Sequence, residues 1–295
     1  MSMRRSIFTL SFFIINLTSL AQQEPLFSQF WNAKTYYNPA ITGLNYKHLI
    51  TTIGRWQWVG VDGAPVTQLL GYATNIKKLK GGLGFTYMHE TIGSSELNKT
   101  KFNYSYQIKT KKEGILSFGL AAGFNNYSFD GDWVPPTTGT DPALPQSFNE
   151  TGFTGDLGIS YSSKKMNLSL SATQLTASRI GGYKESTHVV LMTDYILGNE
   201  NGFQLKPQAF VMTDLVKTVA DLNLLILWKG KIGAGVTYRT SEDLSFSVNY
   251  DLLKKFRFGY AYDLNLGILG SISKGSHTGF FGLVFNEGKR RAKKK

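Results

Sequence analysis

The 295-residue chain contains no cysteine, which excludes both a disulfide framework and a lipoprotein anchor. Proline is scarce, at 8 residues, and charged residues make up only 18%, below the roughly 25% usual in soluble domains. Beyond the extreme N-terminus no run is long and apolar enough for a membrane helix. The mean hydropathy is −0.16, so hydropathy alone would describe a soluble protein. What the chain has instead is 31 glycines and 14% aromatic residues. That profile suits membrane strands flanked by aromatic girdles, although a soluble all-β protein could share it.

The N-terminus reads as an export signal. Arg4 and Arg5 supply positive charge, residues 7–20 are largely apolar, and Ser19 and Ala21 put small residues where a signal peptidase reads. The stretch is shorter than the roughly 20 apolar residues of a spanning helix, and Gln22-Gln23-Glu24-Pro25 ends it sharply. The expectation is a signal peptide over 1–21, with Gln22 as the mature N-terminus.

Periodicity carries the fold. Leu116, Phe118, Leu120, Ala122 and Phe124 alternate with Ser117, Gly119, Ala121, Gly123 and Asn125; Phe102, Tyr104, Tyr106 and Ile108 alternate with Asn103, Ser105 and Gln107. The same two-residue period recurs around Leu168 and Phe246. It predicts strands near 48–58, 66–75, 81–90, 100–109, 114–127, 153–162, 166–175, 187–197, 203–215, 219–228, 231–239, 244–252, 256–263 and 278–285. These are roughly ten residues each, the length a tilted strand needs to cross a bilayer. Their number is about fourteen, an even count of the kind bacterial barrels show. The expected fold is therefore all-β, a transmembrane antiparallel up-and-down barrel over 47–285, preceded by a segment over 22–46 and followed by a basic tail over 286–295.

The connections support a barrel over a sandwich. Turns after the even-numbered strands are short, whereas those after strands one, three, five, seven and thirteen are expected to be long, with 128–152 the longest. Short periplasmic turns opposite long outer loops are what outer-membrane barrels show. Charge sorts in the same way. The short turns carry Lys77, Lys78, Lys80, Lys109, Lys111, Lys112, Lys164, Lys165, Lys229, Lys231, Lys254 and Lys255; the opposite rim carries Asp62, Glu90, Glu96, Asp130, Asp132, Asp141, Glu150, Glu185, Glu242 and Asp243. The tail adds Lys289, Arg290, Arg291, Lys293, Lys294 and Lys295 against Glu287, within a formal net charge of +12. Such lysines can serve as solvated punctuation that keeps strand edges from mispairing. They can equally dock an anionic periplasmic protein or peptidoglycan by electrostatic complementarity. Export argues against nucleic acid as the partner of this basic run.

Gln23, Pro25, Phe27-Ser28-Gln29-Phe30, Tyr37-Asn38-Pro39-Ala40 with Gly43, Arg55 with Gln57-Trp58, Gly63-Ala64-Pro65, Thr67-Gln68 and Gly81-Gly82-Leu83-Gly84 together resemble the opening of the PorP/SprF family of type IX secretion outer-membrane proteins. Further on, Leu116-Ser117-Phe118-Gly119-Leu120 with Gly123, Tyr260-Ala261-Tyr262-Asp263 and Gly275-Ser276-His277 are similar to family positions. The chain departs from the family pattern where residues 286–295 follow Phe285 and where Thr278 follows the Ser-His pair. The resemblance implies a Gram-negative bacterium of the Bacteroidetes type, an outer-membrane location among outer-membrane lipid, and a part in protein secretion, gliding or adhesin display. It also implies partners: a periplasmic secretion component or peptidoglycan-associated protein, and a secreted surface adhesin.

Within the leading segment, Pro39 fixes its own φ and biases Asn38 to an extended conformation. Phe27, Gln29, Phe30, Asn38 and Pro39, with Lys289, Arg290, Arg291, Lys293, Lys294 and Lys295, are the candidate partner-binding residues. The segment could plug the lumen, form a docking surface at the periplasmic mouth, or be a lead-in whose aromatics join the lower girdle. Catalysis is not expected: no Gly-x-Ser-x-Gly elbow or metal-spaced histidine pair occurs among His48, His89, His188 and His277. Ser276 and His277, as strand neighbours, should point to opposite faces. Neither a cofactor nor a metal is expected. The alternative function is a passive porin or small-solute transporter, with Asn103, Ser105, Gln107, Ser169, Ser171, Asn249 and Asp251 lining a wet channel. Against it, Leu225, Leu227, Phe280 and Val284 also fall on the inward face.

Overall fold

A computed structural model describes residues 24–111, 113–130, 147–177, 179–180, 183–241 and 243–287. Residues 1–21, and the basic tail from Lys289 onward, lie outside this range. The wall is built from β1 Tyr46–Trp56, β2 Val66–Ile76, β3 Gly81–Ile92, β4 Ser95–Lys109, β5 Ile115–Phe129, β6 Phe148–Ser162 and β7 Met166–Thr173. It continues through β8 His188–Tyr195, β9 Phe203–Thr213, β10 Thr218–Trp228, β11 Ile232–Arg239, β12 Asp243–Leu252, β13 Phe256–Asn265 and β14 Ser276–Glu287. Each strand pairs antiparallel with its sequence neighbours, and β1 pairs with β14 from Tyr46↔Glu287 to Trp56↔His277, so the sheet closes. A two-residue strand, Leu197–Gly198, extends the β8–β9 turn along β9.

Closure follows from the solvent the wall faces: in hydrocarbon no water satisfies a free backbone N–H or C=O, so an open sheet edge is untenable. All fourteen expected strands are present. One expected loop is not. The connection after β3 is a two-residue turn, because β3 and β4 extend their ladder through Glu90↔Leu97, Thr91↔Glu96 and Ile92↔Ser95. Gly93, at φ +56°, takes the first central position of that turn, where a type II′ hairpin needs positive φ. The polarity of Glu96, Asn98 and Lys99 disguised this stretch as loop.

The alternation separates two faces. On β4, Phe102 is 60% exposed while Lys101 and Asn103 are 2% and 4% exposed. Outward positions such as Phe118, Leu120, Phe124, Leu157, Leu222 and Val248 present an apolar surface to lipid. The inward face is mixed. Alongside Ser105, Ser117 and Asn223 it carries the buried apolar residues Ile53, Leu69, Met88, Val190, Met192, Phe210, Met212 and Phe280. These form one cluster with Phe27, Phe30, Ala33, Tyr36 and Tyr37 of the leading segment, so the hydrophobic core of this protein lies inside the barrel.

A charge on the lipid face is costly near the bilayer midplane and tolerated at the rims. Leu120→Lys should therefore destabilise the barrel by about 2–4 kcal/mol, read as a lower urea midpoint for folding into lipid vesicles. An unchanged midpoint would place Leu120 off the lipid face.

Candidate functional site: the filled lumen

Residues 24–45 run down the inside of the wall. The segment is nearly free of regular structure, with single turns at Phe30–Asn32, Lys34–Tyr37 and Pro39–Ile41. Its polar groups are met by side chains from the wall. At the outer end, Glu24 pairs with Lys99 and accepts from Gln174 Nε2 (2.6 Å) and Tyr36 Oη (2.6 Å). Ser28 Oγ donates to Asp263 (2.6 Å) and receives Arg55 Nη1 (2.5 Å), which also pairs with Asp263 at 2.6 Å and donates to Thr278 Oγ1. Gln29 Nε2 donates to the Tyr260 carbonyl at 2.9 Å.

Lower down, Lys34 Nζ reaches Asp194 at 2.5 Å, and Lys101 bridges Asp156 (2.7 Å) to the Tyr36 carbonyl. The carbonyls of Tyr37, Ala40 and Thr42 accept from Ser171, Ser117 and Ser105, each at 2.7 Å. These contacts come from β1, β4, β5, β6, β7, β8 and β13, around the circumference of the lumen. Phe27, Gln29, Phe30 and Asn38 are each at most 1% exposed.

The Asn38-Pro39-Ala40 triplet has its own seat. Asn38 is extended (φ −145°, ψ 112°), as a residue before proline prefers, and its Oδ1 caps the following turn by accepting from Ala40 N at 2.9 Å. Its Nδ2 donates to the wall carbonyls of Ile159 and Leu170. The wall is dented to receive it. Gly119 and Gly158 are cross-strand partners; a Cβ on Gly119 would lie 2.1 Å from Ala40 N, and one on Gly158 would lie 2.1 Å from Asn38 Oδ1. A side chain at Gly119 would collide with the Ala40 backbone, and one at Gly158 with the Asn38 side-chain amide.

Burying Phe27 and Phe30 contributes about 1.5–3 kcal/mol each, and the edge-to-face contacts of Tyr37 with Phe27 (6.2 Å) and with Phe210 (4.8 Å) add to it. The buried ion pairs weigh differently. Their desolvation offsets much of their attraction, so they fix position more than they stabilise, while removal of one partner strands the other.

Of the candidate partner-binding residues, Phe27, Gln29, Phe30, Asn38 and Pro39 are thus buried against the wall. The basic tail lies outside the described residues. The lysines of the short turns separate cleanly: all eleven that are described, from Lys77 to Lys255, are exposed on one rim. The acids of the other rim separate less cleanly. Glu90 and Glu185 are 6% and 3% exposed and turn into the lumen, where Glu90 accepts from Thr67 and Glu185 from Asn125. Ser276 and His277 take opposite faces: Ser276 Oγ accepts from Trp58 N, and His277 Nδ1 meets Tyr260 Oη at 2.6 Å on the outside. Inward charges that sequence reasoning passed over include Lys99, Lys101, Asp156, Asp194 and Asp221. Each falls on the polar parity of its strand, which is the signal that would have found them.

The chain matches, over residues 19–282, the family described as Type IX secretion system membrane protein PorP/SprF. It belongs to that family. No curated protein matches it in sequence. Among solved structures it is similar to the CymD monoaromatic hydrocarbon channel, with 13% identity over 87% of this chain and 93% of that one at a TM-score of 0.53. The Acinetobacter baumannii outer membrane protein Omp33 has 10% identity over 83% of this chain and 100% of that one at 0.49. The P. putida toluene transporter TodX has 12% identity over 87% and 94% at 0.47. At such identities the likeness to CymD concerns the barrel alone. This PorP/SprF member is accordingly an outer-membrane β-barrel, and the rim that carries the short turns is the periplasmic one by the usual architecture of such barrels.

Two changes probe the lumen. Arg55→Ala strands Asp263 and should lower unfolding stability by about 3–5 kcal/mol in a denaturant titration of the detergent-solubilised barrel; a loss under 1 kcal/mol would contradict the burial of the pair. Gly119→Val should unseat residues 38–40, raising single-channel conductance in planar bilayers above that of the unaltered protein, whereas equal conductance would mean the dent is not what holds the segment.

Proposed function

We propose that this PorP/SprF member works as a plugged scaffold of the type IX system. It supports secretion or surface anchoring of a partner protein by docking periplasmic components on one rim and a secreted protein on the other. The observation that carries the reading is the lumen filled by residues 24–45. With aromatic anchors, ion pairs and the Gly119–Gly158 seat all engaged, the interior offers a transported solute little, and the rims are what another protein can meet. Supporting it, the eleven exposed lysines make the periplasmic rim a basic ring, and six of the seven residues 289–295 are basic. Clustered charge of one sign steers an acidic surface and fixes its orientation more than it adds affinity. On this reading Phe27, Gln29, Phe30, Asn38 and Pro39 act from within, by keeping the barrel closed and its rims in register. Entry by a cleaved signal over 1–21 belongs to the same proposal.

A passive porin is the competing reading, since Asn103, Ser105 and Ser171 would suit a wet channel; here those serines bond to the leading segment. Single-channel recording separates the two: a large steady conductance from the unaltered protein would favour the porin.

Deleting residues 289–295 should weaken recovery of periplasmic partners with the tagged barrel and make the remainder more sensitive to added salt, because surface charge is screened beyond a Debye length of about 8–10 Å near physiological ionic strength. Recovery identical to that of the full chain at every salt concentration would remove the tail from the docking surface.

A further inference from the structure

A hollow of about 1020 Å³ lies on the outside of the wall, across the seam where β14 meets β1. Its floor is made of two neighbouring rows of outward positions. The lower row follows successive cross-strand pairs from Ile232 through Tyr250, Phe258, Phe281 and Thr52 to Leu70. The upper row follows Val248, Tyr260, Gly279 and Gly54 in the same way. Two adjacent glycines among large neighbours turn this surface into a trough. A Cβ on Gly279 would meet nothing within 4 Å, while one on Gly54 would meet the Trp56 ring at 2.9 Å.

The trough has a direction. Its lower row starts at Ile232, the first residue of β11 on the periplasmic rim, and reaches the middle of β1 at Thr52. Six strands about 4.8 Å apart carry that row across roughly 24 Å of wall. At its periplasmic end stand two cations. Trp228 is the cross-strand partner of Ile232, and Lys229 Nζ lies over its ring, 4.9 Å from the centroid. Lys255 Nζ lies over Phe256 and Phe285 at 5.4 and 5.5 Å, and Phe256 is one outward step below Phe258. These rings are on the lipid side of the wall, so both ammonium groups are held at the bilayer edge, on aromatic faces that attract them. Among the described residues neither lysine forms an ion pair.

An uncharged chain would fill the trough and leave the cations unmatched. An acidic protein surface would match the cations and leave the trough unfilled. A molecule with an anionic head on an apolar chain satisfies both, and membranes supply such molecules to basic sites at the bilayer edge. We propose that this trough is a binding site for an anionic glycerophospholipid of the periplasmic leaflet. Its acyl chain lies over Gly279 and Gly54, and Lys229 and Lys255 hold its phosphate. The chain thus packs on β14 and β1 together, across the pairing that closes the sheet, and the site is separate from the filled lumen.

The test uses the full chain, purified folded from outer membranes and exchanged into detergent micelles that contain phosphatidylglycerol or phosphatidylcholine with the same acyl chains. Native mass spectrometry then counts the lipid retained on each barrel. Phosphatidylglycerol should be retained about tenfold or more over phosphatidylcholine, the scale of two lysines acting on one anionic head. Gly279→Leu, whose side chain has open space to enter, should fill the trough and abolish retention of both lipids. Lys229→Gln combined with Lys255→Gln should erase the preference between them while the barrel keeps the gel shift of a folded protein; this pair lies at the turns and gives a readout should Gly279→Leu not fold. Equal retention of the two lipids by the unaltered protein overturns the headgroup site. A preference that survives both variants places the lipid elsewhere on the wall and overturns the trough. Lipid-free pairs of barrels that Gly279→Leu separates assign the trough to a second copy of the chain instead.

Discussion

A strand in a bilayer can send its backbone N–H and C=O groups only to another strand, and the rest of this structure depends on that constraint. It closes β1 onto β14, and closure creates an inside. The pleat then sends every second side chain to lipid and every other one inward, so residues excluded from the lipid face must be satisfied in the lumen. Here they include Arg55, Lys99, Lys101, Asp156, Asp194 and Asp263, all nearly inaccessible. Residues 24–45 supply much of what they need: Ser28, Lys34 and Glu24 bond to the charged groups, and three backbone carbonyls meet three serines.

The interior is thus a protein core turned outside in. Its apolar part, built on Phe27, Phe30, Tyr36, Tyr37, Met88 and Phe210, resembles that of a small soluble domain, while the outer surface is as apolar as its surroundings demand. A family that functions in secretion gains from this arrangement a rigid body whose two rims can differ. One rim is basic through exposed lysines; the other has longer loops, although its acidity is weaker than the sequence suggests, since Glu90 and Glu185 fold inward.

The wall was legible because its physics is periodic. Parity alone sorted Phe102 from Asn103 and Leu120 from Ala121, and all fourteen strands lie within a few residues of expectation except where polar ends disguised them, as at 95–99 and 148–152. The leading segment was legible only as something that precedes the wall. Its aromatics suit a girdle, a mouth or a lumen equally well, and what decides among these is distant: a dent made by two glycines 39 positions apart in sequence, and serine hydroxyls on three different strands. Each is an ordinary strand residue until the sheet closes. The inward charges could have been found by extending parity past the apolar runs; the pairing of Asn125 with Glu185 could not, since Glu185 lies in a connection with no period.

The chain leaves the lumen through Gly43, Leu44 and Asn45 and enters β1 at once, so the segment hangs on a tether of three residues. A ligand held so short sits at an effective concentration in the millimolar range or above, independent of how much protein the membrane contains. Any outside peptide that competes for the same seat with equal intrinsic affinity at micromolar concentration would hold it about one part in a thousand of the time. Tethering thus makes the occupancy of the lumen a property of the single molecule, insulated from the changing composition of the periplasm around it.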